Sequence, residues 1–166
     1  EQSLQRWMED VAPGSRTYTR ASRRQGDRSD IVLAGRYREG VTLNLMLDTS
    51  GSMWSEIAML LGVIKSFNEA IGITRVRILQ CGEKLEADEL VATDDLERYR
   101  ILGGYGGDLG PGFARLCEDP SVEAVIVVTD GMLLYPQHAM PFDVLWALVG
   151  TFDFKPPYGR VIKVKV

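Results

Sequence analysis

The chain has 166 residues, 45% of them hydrophobic and 25% charged, with a net charge of -4. That is enough sequence for one well-buried domain, and no apolar run approaches the roughly 20 residues needed to cross a bilayer, so the expectation is a cytoplasmic protein. With one histidine, His138, and two cysteines outside any CxxC pair, zinc sites of the usual kind and a disulfide framework are excluded. Cys81 and Cys117 therefore read as reduced, buried small hydrophobes, and any metal here must be held by oxygen.

The first residue is Glu1 rather than a methionine, which suggests a fragment or processed product of a longer chain. Ser3 to Ala12 sets Leu4, Trp7, Met8 and Val11 at helical spacing behind a serine cap, and Pro13-Gly14 ends that lead helix. From Arg16 to Arg38, seven arginines stand against Asp27 and Asp30, a local charge of +5 that leaves -9 for the remainder. This arm has no lysine and no repeated aromatic pattern. It reads as a strap that neutralises the acidic body or docks a partner rather than as a nucleic-acid arm. Residues 1–40 are thus taken as a helix and arginine-rich arm packing on a domain of residues 41–166, with IVLAGRY as a short edge strand between them.

From Val41 the pattern becomes VTLNLMLD, a continuous apolar strand of the type covered on both faces. Ile57, Leu60, Leu61, Ile64, Phe67 and Ile71 follow at helical spacing, and Gly72 closes the longest helix. RVRILQC is the next strand, Gly82-Glu83 a turn, EADELV a short strand, and Thr93-Asp94-Asp95 caps a brief helix reaching Arg100. The loop GGYGGDLGPG leads into a helix near Phe113 to Cys117. EAVIVVTD and FDVLWALVG are further strands, and GRVIKVKV ends the chain. Apolar strands alternating with amphipathic helices predict an α/β fold: a Rossmann-like three-layer sandwich around a mainly parallel sheet.

In such a sheet ligands gather beyond the carboxyl ends of the strands, where strand order reverses. Three polar clusters fall at such ends or beside them: Asp48 to Ser52, Gly103 to Gly112 before the EAVIVVTD strand, and Thr129-Asp130-Gly131. An aspartic protease loop does not fit, because Ser50 separates Thr49 from Gly51 and the pattern is not all-β. A phosphate loop does not fit either, since no Gly-Lys-Ser/Thr is present and Asp108 would repel a phosphate. Asp48 or Thr49 at a strand-to-helix junction can also be no more than a helix cap. A hard divalent cation wants about six oxygens, and Asp48, Ser50 and Ser52, two apart in one loop, can turn toward one point with Asp130 arriving from a neighbouring strand end.

DTSGSM, the downstream Gly-rich loop and the strand ending in TDG resemble the metal-ion-dependent adhesion site of von Willebrand factor type A (VWA) domains. The likeness extends over roughly Ser15 to Val166. Through SRTYTRASRR, GGYGGDLGPGF, VVTDG, FDVLWALVG and PPYGRVIKV, it resembles the C-terminal VWA-like domain of bacterial proteins whose N-terminal half looks like a metallopeptidase. The resemblance implies a Mg²⁺ site (or Mn²⁺ or Ca²⁺) of Asp48, Ser50, Ser52 and Asp130, often completed by a partner's acidic residue. Gly107 stands where the family loop usually carries threonine. Either water fills that position, or Asp108 reaches in as a ligand, or the site no longer holds metal.

The function implied is a non-catalytic protein-binding module that docks an acidic residue of a partner or of a missing N-terminal half. Such domains resemble those that work beside AAA+ ATPases of the MoxR type. A metal-free scaffold is the alternative, and a Mg-dependent hydrolase a weaker one, because Asp108 is the sole candidate for a general base. Trp7, Trp54 and Trp146 read as packing residues, with Trp54 able to line a binding rim. The apolar run Met132 to Tyr135 reads as a contact patch and His138 as a surface residue.

Overall fold

A computed structural model describes residues 15–21, 34–37, 42–51, 54–103, 106–150 and 152–164. The lead helix expected at Ser3 to Ala12 lies outside these residues. Strands β1 (Ser15–Ala21) and β2 (Ala34–Tyr37) pair antiparallel with each other as a separate two-stranded sheet, so the segment expected as an edge strand joins its own hairpin instead.

The main sheet has six strands in the order β5-β4-β3-β6-β7-β8. These are β3 (Thr42–Asp48), β4 (Arg75–Cys81), β5 (Leu85–Ala92), β6 (Ala124–Thr129), β7 (Asp143–Val149) and β8 (Arg160–Val164). All neighbours run parallel except β5, which folds back on β4. From β3 the chain builds outward to β4 and β5, then returns to add β6, β7 and β8 on the other side. Strand order therefore reverses between β3 and β6, and the predicted three-layer α/β architecture is the one observed.

Period-two alternation assigns each strand residue to a face. Leu43, Leu45 and Leu47, with Val76, Ile78, Ile126 and Val128, face one core. Helix α1 (Trp54–Ile71) covers it with Ile57, Leu60, Leu61 and Ile64, the stripe read from spacing alone. Met46, Leu79, Cys81, Val125 and Val127 face the other core. There the cover is the short helix α2 (Gly110–Cys117), with Pro111 in its first turn, and an aromatic cluster centred on Trp146. The Trp146 ring lies 5.0 Å from Tyr135, 5.1 Å from Phe154 and 5.9 Å from both Phe113 and Tyr158, and its Nε1 donates to the Tyr158 carbonyl at 3.0 Å. No helix is assigned between β6 and β7 among the described residues, and these rings fill the layer one would occupy.

Three sequence expectations change here. The segment after β5 is a 3-10 helix, Thr93–Arg98, without a side-chain cap, because Thr93 Oγ1 donates to the Ile73 carbonyl instead. Helix α2 starts at Gly110, earlier than read, because Asp108 Oδ1 accepts from Gly110 N and organises the first turn. Cys81 is buried as expected, whereas Cys117 is exposed at the end of α2, with Met140 Sδ beside its thiol. Trp146 is in the core, His138 is on the surface, and no described helix is long and apolar enough to cross a membrane.

A charged network ties β4, β5 and α2 together. The Arg77 guanidinium bonds both Asp88 oxygens and Asp119, and Arg115 reaches the same Asp88 from α2. Hydrogen bonding from Arg77 holds the Asp88 carboxyl below the usual carboxylate range. A depressed folded pKa contributes stability that is present above the unfolded value of about 3.9 and is lost as pH falls through the folded value. With the Arg77 and Asp88 side chains 14% and 17% exposed, Asp88→Asn is expected to cost about 1.5–3 kcal/mol at neutral pH, the range for hydrogen bonds to charged groups. In urea unfolding, the gap between wild type and variant should close as pH falls below about 4.

Candidate metal centre

Parity and register bring Asp48 and Asp130 to neighbouring strand ends. Asp48 ends β3 on the same face as Met46, and Thr129 ends β6 on the same face as Val127. Leu47 pairs with Val128, so the next step of the register sets Asp48 beside Thr129 at the point where strand order reverses. Thr129 Oγ1 donates to Asp48 Oδ2 at 2.8 Å, and Gly131 N donates to Thr129 Oγ1. On its other oxygen, Asp48 Oδ1 accepts from Ser50 N at 3.2 Å. Both oxygens of this buried carboxylate are thereby oriented. The sequence marks Thr129 only by a hydroxyl at the last residue of an otherwise apolar strand.

Asp130 follows on the neighbouring strand end, half-buried, with Oδ1 accepting from Met132 N at 2.8 Å. Burial pushes the Asp48 carboxyl above its ordinary range, and the charge of Asp130 adds to that, while hydrogen bonds from Thr129 and Ser50 act the other way. Two carboxylates thus repel each other in a poorly solvated place, an arrangement that a cation relieves.

The loop leaving β3 is fastened at its base. Thr49 N and Oγ1 both donate to the Cys81 carboxyl-end carbonyl oxygen, at 2.9 and 3.1 Å. Ser50 Oγ is buried and has no hydrogen-bond partner among the described residues, and it lies near enough to the Asp48 carboxylate to favour its charge without meeting hydrogen-bond geometry. An unsatisfied hydroxyl at this depth costs about 1–3 kcal/mol unless something coordinates it. Ser52 lies outside the described residues.

Asp108 is placed differently. Its Oδ1 accepts from Gly110 N at 2.8 Å and its own N–H donates to the Gly82 carbonyl, so its described hydrogen bonds serve α2 and the β4–β5 turn rather than Asp48. Gly107 is clamped by the segment after Asp130. Its carbonyl accepts from Leu134 N, and a Cβ at Gly107 would lie 3.2 Å from the Met132 carbonyl oxygen. A threonine there would crowd that carbonyl, so the glycine suits the packing of this loop pair.

Among the described residues no three His, Cys, Asp or Glu side chains converge on a metal position. The groups gathered at this strand end are two carboxylates and the hydroxyls of Ser50 and Thr129, oxygens of the type a hard cation takes. The neighbouring Cys81 thiol is pushed up to about 12, chiefly by burial, and offers no thiolate at neutral pH. Asp48, Ser50 and Asp130 therefore fit a Mg²⁺-like ion better than a soft one.

A family model described as VWA-like domain (DUF2201) matches residues 43–165. No curated protein matches the chain.

Proposed function

Because this chain belongs to the VWA-like domain family, whose members serve broadly as protein-interaction modules, we propose that its carboxyl-end face holds a divalent cation and docks an acidic residue of a partner protein. The observation that carries the reading is the buried Ser50 Oγ, without a hydrogen-bond partner among the described residues, beside the Asp48 carboxylate and its neighbour Asp130. Asp48, Ser50 and Asp130 would hold the ion, with Ser52 completing the Asp-x-Ser-x-Ser pattern and Mg²⁺, Mn²⁺ or Ca²⁺ as candidates. A bound cation would neutralise the two carboxylates and leave a coordination position for an incoming carboxylate.

The remaining work is done by the chain's own groups. Thr129 fixes the far oxygen of Asp48, Met132 N fixes Asp130, and Thr49 pins the loop to β4, so the donors are set before any ligand arrives. The role proposed is non-catalytic. Asp108, the general-base candidate from sequence, commits Oδ1 to Gly110 N. An AAA+ ATPase of the MoxR type, or another part of a longer chain, is the partner to try first. Gly107 favours one competing reading, a scaffold that works without metal, since it supplies no hydroxyl.

Isothermal titration separates the two. The chain is expected to take up one Mg²⁺ or Mn²⁺, and Asp48→Ala to take up none. A wild-type chain that stays silent at millimolar metal would leave the metal-free scaffold.

A further inference from the structure

The carboxyl edge of the sheet changes character along the strand order. On the β4–β5 side stand Glu83, exposed in the turn, and Glu86, half-buried at the start of β5, with Lys84 near them. Asp48, Ser50 and Asp130 occupy the middle. On the β6–β7 side the surface is apolar: Met132 is 69% exposed, Leu134 70% and Phe152 49%.

That apolar side is held in place. Leu133 and Tyr135 pack into the aromatic core while Met132 and Leu134, alternating with them, point outward. Leu134 N donates to the Gly107 carbonyl at 2.6 Å, and the Leu134 carbonyl accepts from Leu109 N at 2.9 Å. Gly131, at φ +92°, has no room for a Cβ, which would lie 3.0 Å from Phe152 Cδ1 and from Leu148 Cδ1. The Phe152 ring therefore rests against the peptide next to Asp130. Three bulky apolar side chains exposed to water on an anchored backbone beside a charged site add little to folding, which is the pattern of a contact surface.

We propose that the segment docked here carries one acidic residue with a bulky apolar residue next to it. The acid goes to the Asp48–Asp130 centre and the apolar side chain to the rim of Met132, Leu134 and Phe152. The inference rests on the metal-dependent reading above and adds the chemistry of the partner to it. Glu83 and Glu86 repel further acids on the opposite side, so a run of acidic residues is a poor ligand.

The test is selection of a random-peptide phage library on the full chain with Mg²⁺ and again with chelator. Mg²⁺-dependent enrichment of peptides in which Asp or Glu lies within two positions of Leu, Ile, Met or Phe is the expected result. Leu134→Ser combined with Phe152→Ser should weaken those peptides about tenfold or more, with the calorimetric Mg²⁺ titration unchanged. Enrichment of polyacidic peptides, no Mg²⁺-dependent enrichment, or equal binding by the double variant overturns the inference while leaving a Mg²⁺-binding wild type intact. A wild type that takes up no Mg²⁺ overturns the reading beneath it as well.

Discussion

Asp48→Asn is expected to melt at least as high as the wild type in chelator and to gain nothing from Mg²⁺. The wild-type carboxylate is buried, pushed above its ordinary pKa chiefly by that burial, and further opposed by Asp130. A raised folded pKa favours the protonated carboxyl in the fold, so the charged form weighs against stability as pH rises to neutrality. Asparagine removes the charge and keeps the shape. Its oxygen can still accept from Ser50 N, and the Thr129 hydroxyl can turn to accept from the amide.

The wild type should behave oppositely when metal is added. At ten times Kd, a ligand that binds only the folded state adds about 1.4 kcal/mol. For a chain of 166 residues that is about 3–6 °C in Tm. Thermal melts of both proteins, with chelator and with Mg²⁺, check this directly. A Mg²⁺-dependent rise in Asp48→Asn equal to that of the wild type would remove Asp48 from the site.

Trp146→Ala should be the most damaging substitution in the described core. The residue is fully buried at the centre of β7 and touches Phe113, Tyr135, Phe154 and Tyr158. Truncating a buried tryptophan costs about 3–5 kcal/mol, a large share of the roughly 5–15 kcal/mol that holds a domain together. Here the Tyr158 carbonyl also loses its Nε1–H donor, and Gly159 loses the ring against which it is fitted, since a Cβ there would lie 2.7 Å from Trp146 Nε1. Urea unfolding followed by far-UV circular dichroism measures the loss. A cost below about 1 kcal/mol would show that the aromatic cluster does not replace a covering helix in the way described.

How much of this was legible in sequence follows from which signals are local. The apolar run of β3, the stripe of α1 and the runs of β4, β6 and β7 are periodic, and each appears close to where its pattern places it. Asp48 and Asp130 could be paired because both end apolar strands, and parallel topology gathers such ends on one edge. The Thr129 bond to Asp48 is a contact across 81 residues, and only the register of β3 against β6 reveals it. The aromatic layer was equally hidden. Tyr135, Phe154 and Tyr158 sit in irregular segments without period, and their convergence on Trp146 is a product of packing. Cys117 is exposed against expectation because a small apolar residue in a short amphipathic helix looks buried until the facing surface is known.

The most direct measurement of the central claim is the anomalous signal of Mn²⁺ in crystals of the full chain grown in millimolar MnCl₂. A single peak within direct-coordination distance of Asp48, Ser50 and Asp130, between the ends of β3 and β6, is the predicted result. No peak there, or a peak held by other residues while that position stays empty, would contradict it.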